Sequence, residues 1–95
     1  MNAMPTVVIT RHLDRFFPAL QGRRIEVPAG SLADVLRAVD RIAPGFTDYV
    51  LDERGAVRRH VALSINDRLV IDRNALSDRV PDDGRVHVFQ ALTGG

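Results

Sequence analysis

The 95-residue sequence contains no cysteine, no lysine and no tryptophan. Without cysteine there are no disulfides, no thiolate zinc site, no iron–sulfur cluster and no cysteine nucleophile, and a cytoplasmic location is the expectation. Without lysine there is no side-chain amine for Schiff-base chemistry or for isopeptide attachment of another protein. All 13 basic residues are arginine, a uniformity that genomic composition bias explains. An excess of one charge is missing too. The 13 basic and 12 acidic residues leave a formal net charge of +1, so nucleic acid, which needs a basic excess on one face, is not an expected partner. No apolar run approaches the ~20 residues of a membrane span, and the N-terminus lacks a basic-then-apolar signal pattern; no membrane role is expected. Internal repeats, low-complexity tracts, Gly-rich phosphate loops, zinc-ligand spacings and a Ser/His/Asp order are all absent, so a self-sufficient enzyme is not expected.

What is there fits one small domain, with 45% hydrophobic and 26% charged residues. A domain of this size buries roughly 60–65% of the surface of its unfolded chain. Met1 to Met4 reads as a short flexible leader. The β-branched run Pro5 to Thr10 reads as a strand, and Val7-Val8-Ile9 suggests a central strand covered on both faces. Phe16, Phe17 and Leu20 fall in a loop closed by Gln21-Gly22. Arg23 to Pro28 alternates, with Ile25 and Val27 on one face, and a short connection suggests a hairpin with the first strand.

Ser31 to Ala43 is the clearest element. Leu32, Val35, Leu36, Val39 and Ile42 recur at helical spacing, and Asp34, Arg37, Asp40 and Arg41 fall away from that stripe. Ser31 can cap the first turn with Asp34 three residues on, an Asp variant of the capping box. Pro44-Gly45 ends the helix. Phe46, Tyr49, Val50 and Leu51 read as a loop packed under the sheet edge. Asp52 to Arg59 reads as a solvated loop despite Arg54, Arg58 and Arg59. Arg59 to Asn66 alternates as a half-buried strand. Asn66-Asp67 is a turn signal before a short strand, Arg68 to Ile71. Asp82-Asp83-Gly84 is another turn, its carboxylates turn formers rather than an acid/base pair, and Arg85 to Ala91 is the last strand.

The order strand, strand, helix, strand, short strand, strand puts one helix over one face of a mixed sheet of four to five strands, an α+β domain. This is the pattern of the β-grasp, or ubiquitin-like, fold, in which the last strand pairs parallel to the first at the sheet centre. The expected organisation is a flexible N-terminus at 1–4, the β-grasp domain at 5–92 and a flexible tail at 93–95.

The chain ends Gln90-Ala91-Leu92-Thr93-Gly94-Gly95. Glycine packs nothing and loses the most backbone entropy on ordering, so it is a poor way to finish a strand. A carboxylate on a thin tail suits capture in a narrow channel of another protein, because missing Cβ atoms let the channel close on the backbone. With these features, from about Pro5 to Gly95, the sequence resembles the sulfur-carrier family of the molybdopterin synthase small subunit and the thiamine-pathway carrier (MoaD/ThiS). The resemblance rests on the first strand, the helix at Ser31–Ala43, the run Arg59-His60-Val61-Ala62-Leu63-Ser64-Ile65-Asn66-Asp67, the Asp-Asp-Gly turn and the terminal Gly94-Gly95. It implies that an E1-like adenylyltransferase activates the Gly95 carboxyl with ATP and magnesium, and that a sulfur source then displaces AMP to leave a thiocarboxylate. A sulfur-accepting biosynthetic enzyme would be the second partner. The chain itself would bind no cofactor and no metal, and Gly94 would serve as flexible tail.

Strand alternation divides the remaining candidates. Val61, Leu63, Ile65, Val86 and Val88 should face the helix. His60, Ala62, Ser64, His87, Phe89 and Ala91 should line the open face, with Phe89 as a docking residue; with Leu92 they make up the expected partner surface. His60 and His87 lack a third ligand at metal spacing. Two other readings stand beside the carrier: a ubiquitin-like modifier joined to lysines of other proteins, and a plain interaction module with idle glycines. The polar loop before His60 leans toward a molybdopterin-like or cysteine-pathway carrier.

Overall fold

A computed structural model describes residues 4–22 and 24–91, with the side chains of His12 and Asp14 set aside. The elements run β1 (Thr6–Ile9), α1 (Arg11–Asp14), a 3-10 turn (Pro18–Leu20), β2 (Ile25–Glu26), β3 (Gly30–Ser31), α2 (Leu32–Ile42), α3 (Phe46–Val50), β4 (Val61–Ile65), β5 (Arg68–Leu69), β6 (Arg79–Val80) and β7 (Arg85–Gln90). Five strands form a mixed sheet in the order β2-β1-β7-β4-β5, and β3 with β6 forms a two-stranded ribbon beside it. The first and last strands pair parallel at the centre, Val7 beside Val86 and Ile9 beside Val88. This is the β-grasp arrangement that the element order implies.

Local chemistry explains the helix bounds. Ser31 Oγ accepts the Asp34 N–H at 3.2 Å, one of the donors a helix start leaves unpaired. Asp34 does not complete a capping box. Its carboxylate takes the Arg37 guanidinium at 2.7 Å instead, an i,i+3 pair in which both side chains are exposed. The backbone turns away at Gly45, whose φ of 99° is open to glycine and strained for other residues. Leu32, Val35, Leu36 and Val39 of α2 are fully buried against the sheet.

The last two turns are equally legible. Asn66 and Asp67 have φ of 49° and 70°, the two-residue turn that joins β4 to β5 with Ile65 opposite Arg68. At Gly84 a Cβ would stand 2.9 Å from the Pro81 ring, so the turn before β7 admits only glycine without a shift. The Gly84 carbonyl in turn accepts the Thr6 N–H at 3.0 Å, which sets the start of β1 against the start of β7.

Several expectations are corrected. β1 is central but covered on one face only: Val7 is 2% exposed and Val8 37%, because α2, the one long helix among the described residues, packs on a single face of the sheet. The connection from β1 to β2 is long rather than short and carries α1 and the 3-10 turn. The segment at Phe46–Val50 is a helix, not a loop, and Phe46 and Val50 are buried in the core. Helices of four and five residues carry too little periodicity to read from sequence.

Candidate functional site at the end of the central strand

β7 runs between β1 and β4 and leads to the C-terminus. Its direction is fixed by pairing on both sides: four register pairs with β1, and five with β4 from Ile65 opposite Val86 to Val61 opposite Gln90. Ala91 is the last described residue. It donates its N–H to the His60 carbonyl at 2.9 Å, so the ladder extends to the root of the C-terminal segment. Leu92, Gly94 and Gly95 lie outside the described residues.

The sheet has two faces with different fates. Val61, Leu63, Ile65, Val86 and Val88 are buried against the helices, as alternation predicts. On the other face the register draws a row of Val8, His87, Ser64 and Leu69 across four strands. Leu69 is 61% exposed, while His87 and Ser64 are half-buried. Phe89 is also half-buried on this face and stands opposite Ala62. Ala62 itself is only 7% exposed, a correction: a short methyl among larger neighbours loses its water even on an open face. The sequence does not single out Val8 and Leu69: Val8 lies in an unbroken apolar run, and Leu69 lies in a short segment, Arg68 to Ile71, of which only Arg68–Leu69 is strand.

His60 is corrected as well. It precedes β4 and packs its ring edge-on against Tyr49 of α3, centroids 5.4 Å apart. It therefore joins an aromatic chain and does not share the open face with His87. The chain continues from Tyr49 to Phe16 at 5.3 Å and to Phe17 at 5.7 Å, and from Phe17 to Phe46 at 5.6 Å. Edge-to-face and tilted pairs of this kind add stability beyond area burial. Three segments separate in sequence meet here, which is why no linear motif announces it.

Two groups hold the connections around this end. Arg73 donates through Nη2 to the carbonyls of Arg58 and Val61, both at 2.7 Å, and its own carbonyl accepts the Val57 N–H at 2.8 Å. The polar loop is thereby tied to the start of β4, a role sequence analysis did not assign. Asp40 Oδ1 accepts the N–H of Thr47 and of Gly45 at 3.0 and 3.1 Å, and the Thr47 hydroxyl at 3.0 Å. The Thr47 N–H, chiefly, holds the Asp40 carboxyl below the ordinary carboxylate range, against a smaller opposing effect of burial. Asp52 is lowered likewise by the N–H groups of Ala56 and Arg54 within its own exposed turn. Among the described residues no three His, Asp or Glu side chains come together as a metal site. None of the described helices is long and apolar enough to cross a membrane.

No protein-family model matches the sequence, and no curated protein gives a significant sequence match. Solved structures do resemble it. A chain of the Amycolatopsis orientalis BexX/CysO complex superposes with a TM-score of 0.78 at 21% identity, over 96% of this chain and 99% of that one. Small archaeal modifier protein 1 of Haloferax volcanii superposes with 0.72 at 17% identity, over 95% and 99%. The HVO 2177 protein of Haloferax volcanii gives 0.71 at 20% identity, over 99% and 88%. The helix-covered sheet, the parallel central pair and these whole-chain superpositions together identify the fold as the ubiquitin-like β-grasp.

Proposed function

We propose that this protein is a sulfur carrier whose reacting group is the Gly95 carboxylate. The observation that carries the reading is the placement of β7. The strand most firmly held in the sheet ends at Gln90, and the chain closes with Gly94-Gly95 just beyond it. A carboxylate is a poor electrophile. An E1-like adenylyltransferase would join it to the AMP moiety of ATP with release of pyrophosphate, and sulfide from a donor would then displace AMP to leave a thiocarboxylate. The nucleotide, the magnesium and the electrostatic stabilisation belong to that partner. The carrier is then a substrate of enzymes and not itself an enzyme, and it works in the cytoplasm. Its sulfur passes to a second, biosynthetic partner, with a molybdopterin-like pathway favoured by the polar Asp52–Arg59 loop. Phe89, His87, Ala91 and Leu92 would meet these partners, with Val8 and Leu69 added from the open face.

One structural neighbour, a small archaeal modifier protein, favours a second reading: attachment of the Gly95 carboxyl to lysines of other proteins. The two readings share the activation step and part afterwards. Incubating the protein with an E1-like adenylyltransferase of the same genome, ATP and sulfide should exchange one carboxylate oxygen for sulfur, read by intact-protein mass spectrometry. An unchanged mass with every such enzyme would refute the carrier. High-mass conjugates in lysate without a thiocarboxylate would establish the modifier. Chains of the protein linked through its own lysines are excluded, because it has none.

A further inference from the structure

The C-terminal end of β7 is ringed by features that neither the core nor the open face needs. β1 lies parallel to β7, so α1 begins beside the end of β7, and the Thr10 N–H binds the Val88 carbonyl at 3.1 Å. β4 is antiparallel, so its start, His60, lies at the same end and receives the Ala91 N–H. From His60 the ring contacts lead through Tyr49 to Phe16, which is 50% exposed although it is a large aromatic side chain. Arg15 lies over the Phe16 ring, 5.0 Å from its centroid. Arg11 opens α1 and Arg59 precedes His60, and both are exposed. Among the described residues, no carboxylate pairs with Arg11, Arg15 or Arg59; the ion pairs there join Arg24 to Glu26 and Arg37 to Asp34. The Asp52 carboxylate is engaged by its own turn. Asp14 falls between Arg11 and Arg15 in sequence, and the three arginines outnumber it.

Resting on the carrier reading, we infer that this collar of Arg11, Arg15, Arg59 and the exposed ring of Phe16 is a docking surface for the carboxylate-lined mouth of the activating partner's tail channel. Charge complementarity selects that occupant. A chain of net charge +1 that gathers unpaired arginines at one end has a cationic pole, which orients it toward an acidic surface as it approaches. The exposed ring, stiffened from behind by Tyr49, supplies the apolar anchor that a bare polyanion would not use. The acidic mouth need not repel the terminal carboxylate. Charges further apart than the screening length of about 8 Å at physiological salt interact little. The collar is proposed to meet the rim, and the terminal carboxyl to react inside the partner.

The test is ATP–pyrophosphate exchange with the purified E1-like adenylyltransferase of the same genome, together with calorimetric binding of the chain lacking Gly94 and Gly95 to that enzyme. The double variant Arg15→Glu/Arg59→Glu should raise the KM for the carrier about tenfold or more while kcat holds, with the loss shrinking at high salt. Arg15→Lys/Arg59→Lys should recover most of it, and Phe16→Ala should raise KM with no change in salt dependence. The tail-less chain should still bind, and charge reversal should weaken that binding by a similar factor. Unchanged KM and binding in the charge-reversed variant would overturn the collar while leaving the carrier intact. Exchange that is absent for the wild type, with tail-less binding still lost on charge reversal, would refute the carrier and keep the surface; absence of both would remove both. Equally tight binding to heparin would make the collar a general polyanion patch. Self-association abolished by the same charges would make a second copy the occupant. Either result would overturn the proposal.

Discussion

The two faces of the central sheet are built from alternate residues of the same strands, yet they are under opposite demands. Toward α2, Val7, Leu63, Val86 and Val88 are at most 2% exposed and are fixed by the helix they touch. One residue along each strand, Val8, Ser64, His87 and Phe89 remain wholly or partly open to water. A sheet with a single main helix can specify a fold with half its side chains. The other half is released from packing and is available for recognition.

Changes on the packed face should have the largest effect on folding. Leu63→Ala should cost about 2–5 kcal/mol, read as a lower urea midpoint, because α2 cannot collapse into the space left on a sheet paired on both sides. A loss comparable to that of an exposed-site substitution would break the contrast between the faces. On the open face the expectation reverses. Phe89→Ala should weaken binding to the activating or sulfur-accepting partner by about tenfold, measured by calorimetry, with a stability loss well below that of Leu63→Ala. Equal losses in both measurements would make Phe89 a second core residue.

The packed face was also the more legible in the sequence. Leu32, Val35, Leu36 and Val39 repeat at 3.6 residues and Val61, Leu63 and Ile65 at two, and burial alone explains both patterns. The open face and the C-terminal end follow weaker signals. Ala62 is hidden by its size and not by its face. His60 is claimed by Tyr49, a partner eleven positions earlier that only the fold brings near. The clasp of Arg73 on the Arg58 and Val61 carbonyls has no sequence period at all, because it binds backbone atoms that every residue possesses. The terminal Gly94-Gly95 pair takes its meaning from its place after the last strand of a β-grasp pattern, and the proposed carrier role rests on that placement.

A smaller effect sharpens the picture at the joint between α2 and α3. Asp40→Ala should cost about 1 kcal/mol by leaving the Thr47 and Gly45 N–H groups without their acceptor. Because the folded protein lowers the Asp40 pKa, its contribution is complete above the ordinary value of 3.8 and is lost as pH falls through the lowered value. Urea midpoints of wild type and Asp40→Asn should therefore differ at neutral pH and converge in acid. A gap that persists in acid would assign the effect to packing rather than to the charge.

The central claim is that a rigid sheet and a reactive terminus are separable parts of one carrier. It is tested most directly by removing Gly94 and Gly95 and following the urea midpoint and the adenylation rate on the same sample. The account predicts an unchanged midpoint and no detectable adenylation. Adenylation that survives the deletion would contradict it.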